Sequence, residues 1–129
     1  MRLIKSKNIP LNNREIGQLA EDKACEFLVK KGFTIIQRNY QYKKAELDII
    51  AWHEETLVFV EVKYRSYTYF GEPEISINEK KMKLLIHAGA AFAEEIGHDW
   101  AVRFDIISMS GPIDRAKIQH YPDAFFPKI

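Results

Sequence analysis

The sequence predicts a single α/β domain, a mixed β-sheet flanked by helices in the order α-β-β-β-α-β with a further short strand closing the chain. Two long stretches carry apolar residues at helical spacing, over about 13–31 and 78–97. Between and after them lie short runs rich in β-branched and aromatic residues, bounded by polar or Gly/Pro-containing segments. Size completes the case. The 129 residues, 47% of them apolar, suit one domain with an ordinary core, and residues 1–11 are expected as a flexible or loosely docked N-terminal segment.

Each element has a local cause. Asn12 or Asn13 can cap the first helix, because an Asn side-chain oxygen accepts the orphan N–H groups of a first turn. Ile16, Leu19, Ala20, Ala24, Phe27 and Leu28 then form its apolar stripe, and Gly32 is placed to end it. Phe33-Thr34-Ile35-Ile36 reads as a strand, followed by a polar stretch from Arg38 to Lys44. Residues 46–52 and 57–63 read as two strands joined by His53-Glu54-Glu55-Thr56, a β-hairpin. Residues 64–76 carry Gly71 and Pro73 and read as irregular. The second helix follows, with Leu85, Ala88, Phe92 and Ile96 on one face. Residues 100–109 form another strand, Ser110-Gly111-Pro112 a turn, and residues 117–121 a short last strand.

Composition excludes several classes. No apolar run reaches the ~18 residues of a membrane span, and the N-terminal residues lack the apolar core of a signal peptide. The single cysteine, Cys25, points to a reducing compartment, with the cytoplasm as the expected location. The four histidines show no zinc-type spacing, and there is no Gly-rich phosphate loop or nucleophile elbow. Net charge is only +1, so contact with nucleic acid has to come from local patches, and a protein partner could supply further affinity.

The hairpin carries the chemistry. Alternation puts Glu46 and Asp48 on one face of their strand, with Leu47 and Ile49 on the other. On the next strand Phe59, Glu61 and Lys63 share a face opposite Val58, Val60 and Val62. A loop centred on Glu54-Glu55 sets Asp48 across from Glu61 and Glu46 across from Lys63. Paired carboxylates repel, by about 4 kcal/mol at ~4 Å and an effective dielectric of 20. A hard divalent cation is the natural offset, with a lysine beside it to orient or deprotonate water. The plainer reading is a solvated sheet face with a Glu46–Lys63 ion pair, although the apolar context of Val58, Phe59, Val60 and Val62 suggests a central strand.

Glu46-Leu47-Asp48-Ile49-Ile50 and Phe59-Val60-Glu61-Val62-Lys63-Tyr64-Arg65 resemble the YraN family of bacterial proteins, predicted endonucleases. That family looks like a branch of the PD-(D/E)xK nuclease superfamily, near the archaeal Holliday-junction resolvases. The similarity runs from about Gly17 to Phe125. It implies a restriction-endonuclease-like fold that hydrolyses phosphodiester bonds of DNA, including branched or recombination intermediates, with Mg²⁺ or Mn²⁺. Asp48 and Glu61 would then be metal ligands with the Val62 carbonyl a third, Lys63 the catalytic lysine, and Glu21 the helical acid, while Glu46 shares the face of Asp48. Ala45 and Ala20 stand where the family pattern has glycine. A symmetric branched substrate would favour a homodimer. The rival from a different class is a non-catalytic nucleic-acid-binding or adaptor module that keeps the fold.

Other residues are weaker candidates. Arg65 and Tyr67 leave the site strand within an aromatic-rich segment suited to stacking on unpaired bases. Lys43, Lys44, Lys80 and Lys81 could meet phosphates, although lysine clusters are more often solvated faces. Arg103 and Asp105 alternate about Phe104 and are expected as a surface ion pair.

Overall fold

In the computed structural model, residues 4–5, 9–66 and 77–125 are described. The order is β1 (Ile4–Lys5), β2 (Ile9–Pro10), α1 (Asn13–Lys30), β3 (Thr34–Tyr42), β4 (Ala45–His53), β5 (Thr56–Arg65), α2 (Glu79–Glu95), β6 (Val102–Ser110), a 3₁₀ turn (Ile113–Arg115) and β7 (Lys117–Phe125). β1 and β2 pair with one another. The main sheet runs β3-β4-β5-β6-β7, antiparallel throughout except for the parallel β5–β6 pair. The expected mixed sheet with flanking helices is what forms.

Asn12 is the N-cap of α1. Its side chain accepts from Glu15 N at 2.9 Å, and the Glu15 carboxylate accepts from Asn12 N at 3.1 Å, a reciprocal capping box. Gly32, at φ +94°, turns the chain out of the helix. The inward face of α1, Ala20, Ala24 and Leu28, packs with Ile49, Val58, Val60, Ile107 and Met109 on one side of the sheet. On the other side Leu85, Ala88 and Phe92 of α2 pack with Leu47, Ile50, Phe59 and Phe104. Gly89 allows that approach, because a Cβ there would lie 2.9 Å from both Phe59 and Phe104. The sheet is thus buried on both faces, which explains the near-continuous apolar run of β5. No described helix is long and apolar enough to cross a membrane.

Several boundaries differ from the sequence reading, and three of the differences have a clear cause. The polar stretch from Arg38 is not a connection but the second half of β3, an edge strand where polar side chains are tolerated. Tyr64 and Arg65 extend β5 because β6 continues to pair with them in parallel. β7 likewise runs on to Phe125, its partner residues lying on the buried strand β6.

The expected hairpin register holds from His53–Thr56 to Ile49–Val60, and there the β4–β5 ladder stops. The strict alternation expected for β4 also fails at this point. Leu47 packs with α2 and Ile49 with α1, so the strand changes face across Asp48. The β3–β4 ladder omits the Asn39–Asp48 pair, and Asn39 sits at φ +52°, a left-handed conformation that Asn tolerates better than most residues. The sheet opens where β4 leaves β5, and Asp48 stands at the opening.

Candidate active site

Asp48 and Glu61 are not ladder partners as the simple register implied, since pairing ends one step earlier. They meet nonetheless. Past the last pair, Val62 N donates to Asp48 Oδ2 at 2.8 Å, which fastens the carboxylate across the opening. Burial, then the charge of Glu61, pushes the Asp48 carboxyl up to about 8, against the lowering effect of the Val62 amide. Glu61 has only 10% of its side chain exposed, and its Oε1 lies 3.5 Å from Lys81 Nζ on the first turn of α2. Its Oε2 is buried without a hydrogen-bond partner among the described residues.

An orphaned buried carboxylate oxygen beside a second carboxylate fits a hard divalent cation. The fit rests on two side chains, because no group of three His, Cys, Asp or Glu is gathered for a metal among the described residues. At Val62 the observed contact is made by the N–H group. Lys63 follows Glu61 by one alternation on β5 and pairs in the ladder with Ser108 of β6.

Glu46 is placed differently from the expectation. The ladder stops short of setting it across from Lys63, and its carboxylate instead accepts from Asn39 Nδ2 at 3.3 Å and from Gln41 on β3. Glu21 does approach the site, lining one cleft with Asp48. Both of its oxygens are engaged, Oε1 by Arg38 Nε at 2.7 Å and Oε2 by Asn39 Nδ2 at 2.8 Å. Arg38 also holds Asp22 at 2.7 Å. Glu21 therefore acts as an anchor between α1 and β3 next to Asp48.

Residues 20–109 match the model of the uncharacterised protein family UPF0102. The chain belongs to this family. A UPF0102 protein of Flavobacterium psychrophilum is 40% identical over 88% of this chain and 96% of its own length. Its counterpart in Phocaeicola vulgatus is 38% identical over 91% of this chain and 97% of its own. One from Carboxydothermus hydrogenoformans is 39% identical over 86% and 95%. The family's description names no activity.

The remaining candidates in this UPF0102 chain divide between two places. Arg65 lines the cleft that holds Asp48, and Lys81 reaches Glu61. Lys80 is exposed at the start of α2. Lys43 and Lys44 form the β3–β4 turn, where Lys43 lies over the Tyr42 ring and borders a different hollow beside α2, so they do not join the acid pair. Tyr67 lies outside the described residues.

Arg103 and Asp105 are not a surface pair. Asp105 is fully buried, receives Arg103 at 2.8 and 2.9 Å, lies 2.8 Å from His120 Nε2, and accepts from Asp123 N at 2.9 Å. Burial pushes its carboxyl up, but the bonds from His120, Arg103 and the Asp123 amide prevail and hold it below the usual range. This network spans the register shift between β6 and β7. Arg38 and Asn39, which organise the acids, were not singled out by the sequence reading. Their signal was an edge strand mistaken for a polar connection.

Proposed function

We propose that this protein is a metal-dependent nuclease that hydrolyses phosphodiester bonds, with DNA as its substrate. The observation that carries the reading is the Asp48–Glu61 pair, in which one carboxyl is pushed up to about 8 and the other has a buried oxygen without a partner. Such an arrangement destabilises a sheet unless something else gains from it. The likeness of the Glu-x-Lys segment to the PD-(D/E)xK superfamily supports the same reading, as does a lysine one alternation from Glu61.

Asp48 and Glu61 would hold Mg²⁺ or Mn²⁺, which when bound supplies a Lewis acid that acidifies water and offsets phosphate charge. Lys63 orients the attacking water and brings positive charge to the phosphate. The water oxygen bonds to phosphorus as the water gives up a proton, one P–O ester bond breaks, and the departing oxygen takes a proton, so that none is gained or lost overall. Val62 N–H keeps the Asp48 carboxylate aimed into the opening, while Arg38 and Asn39 keep Glu21 at its edge.

The test is cleavage of labelled linear, flapped and four-way-junction DNA with Mg²⁺ or Mn²⁺, wild type against Glu61→Ala and Lys63→Ala. Metal-dependent cutting that both variants lose by about 100-fold or more is the expected result, the scale of removing a positioned catalytic group. Equal cutting by wild type and Glu61→Ala would refute the assignment, and binding without cutting would favour the non-catalytic module.

A further inference from the structure

We infer that the cleft beside Asp48 receives a single unpaired nucleotide, so that the substrate is nucleic acid with an unpaired position next to the scissile phosphate. The inference rests on the nuclease reading for the place of the phosphate and on the cleft itself for the rest. The cleft has a volume of about 660 Å³ and lies between the first half of α1 and the end of β5. A space of that size is typical of pockets for small molecules. It suits one nucleoside with its waters, whereas a stacked, paired duplex presents no single base to such a hollow.

The walls indicate which part of a nucleotide enters. Ile16, Gly17 and Ala20 form one side, and Tyr64 forms part of the other, its hydroxyl tied to Gly111 O at 2.6 Å. Such surfaces suit the flat, uncharged face of a base or the carbon edge of a sugar. Charge argues the same way. Among the described residues lining the cleft, Asp48 and Glu21 are acidic and Arg65 is the single cation, so a phosphate is poorly received inside it. A phosphate held at the Asp48–Glu61 opening would sit at the mouth, its nucleoside directed inward. Flipping a base into the cleft costs least where the base is already unpaired, which makes the cleft a device for selecting substrate.

Gly17 offers a clean way to fill the cleft. A Cβ there meets nothing within 4 Å, and the residue lies on α1 at negative φ. Gly17→Leu puts bulk into the space without touching the core, and Ser66→Leu fills from the opposite wall.

The experiment measures binding of a fluorescein-labelled eight-nucleotide single strand in Ca²⁺ by anisotropy, with unlabelled single strand or its paired duplex as competitor. Wild type is expected to prefer the single strand over duplex by about 10-fold or more, and Gly17→Leu and Ser66→Leu to lose about 10-fold, the scale of one stacked base. Melting curves verify that both variants fold. Equal competition by duplex, or unchanged binding by folded Gly17→Leu and Ser66→Leu, overturns the inference. Mn²⁺-dependent cleavage with and without Glu61→Ala is scored separately. Cleavage lost at Glu61 with no effect of filling the cleft refutes the nucleotide pocket alone, and strand preference without any cleavage refutes the nuclease reading alone.

Discussion

Replacing Asp48 by Asn should make the metal-free protein more stable at neutral pH. The native carboxyl is pushed up to about 8 from its ordinary value of 3.8, by burial first and by Glu61 next. Near pH 7 the native state therefore holds a proton that the unfolded chain releases, so stability falls as pH rises through the window from about 4 to 8. The full shift between 3.8 and pH 7 corresponds to about 4 kcal/mol, as a ceiling. Asp48 keeps some solvent contact, so a gain of about 1–3 kcal/mol is the expected size. Asn retains a carbonyl oxygen for Val62 N–H, which makes the change nearly isosteric. Thermal unfolding followed by circular dichroism, with EDTA present, should show a melting temperature about 3–12 °C higher for Asp48→Asn at pH 7.5, with a much smaller advantage at pH 4.5. Glu61→Gln should move in the same direction by removing the second cause. A variant no more stable than wild type at pH 7.5, or one with an unchanged pH slope, would refute the buried, mutually repelling pair.

Two further outcomes follow from the same physics. Metal binding to Asp48 must displace its proton, so Mn²⁺ affinity measured by calorimetry should rise steeply with pH up to about 8, with protons released into the buffer, and Asp48→Asn should abolish the release. Asp105→Ala should destabilise by about 3–5 kcal/mol by leaving Arg103 and His120 without their buried partner; because the folded Asp105 carboxyl lies below its unfolded value, its contribution is present above about pH 4 and fades as pH falls through the lower folded value, so urea titrations at pH 7 and pH 3 should show the variant's deficit shrinking in acid.

The sequence was most legible where local rules and global burial agree. The cap at Asn12, the stripe through Ala20, Ala24 and Leu28, and the alternation of Phe59 with Val58 and Val60 are each readable from short-range pattern. Pairing near the tight turn at Glu54-Glu55 follows from the loop alone. What periodicity could not supply was the place where pairing ends. Asp48 escapes the alternation of β4 because Asn39, at positive φ on the neighbouring strand, interrupts the ladder, and that depends on a contact between strands. The same blindness applies to Asp105. Its two-residue spacing from Arg103 reads as an exposed pair, while burial by His120 and the Asp123 amide comes from β7, closed over it in three dimensions.

The failures of pattern and the candidate chemistry fall at one place, and there is a physical reason for this. A regular ladder satisfies its own N–H and C=O groups and leaves nothing to hold a ligand. Where β4 departs from β5, Val62 N–H needs an acceptor, and Asp48 provides it at the cost of lying near Glu61. Asn39 gives up its place in the ladder and turns its amide to Glu21 and Glu46. The opening is thereby lined with carboxylates fixed by hydrogen bonds rather than free to turn away from one another. Lys81 brings a cation to Glu61 Oε1 at 3.5 Å, while Oε2 stays buried without a hydrogen-bond partner among the described residues. A fold stabilised by two cores on a five-stranded sheet can tolerate such a local defect, and a purely structural sheet would gain by repairing it with neutral residues.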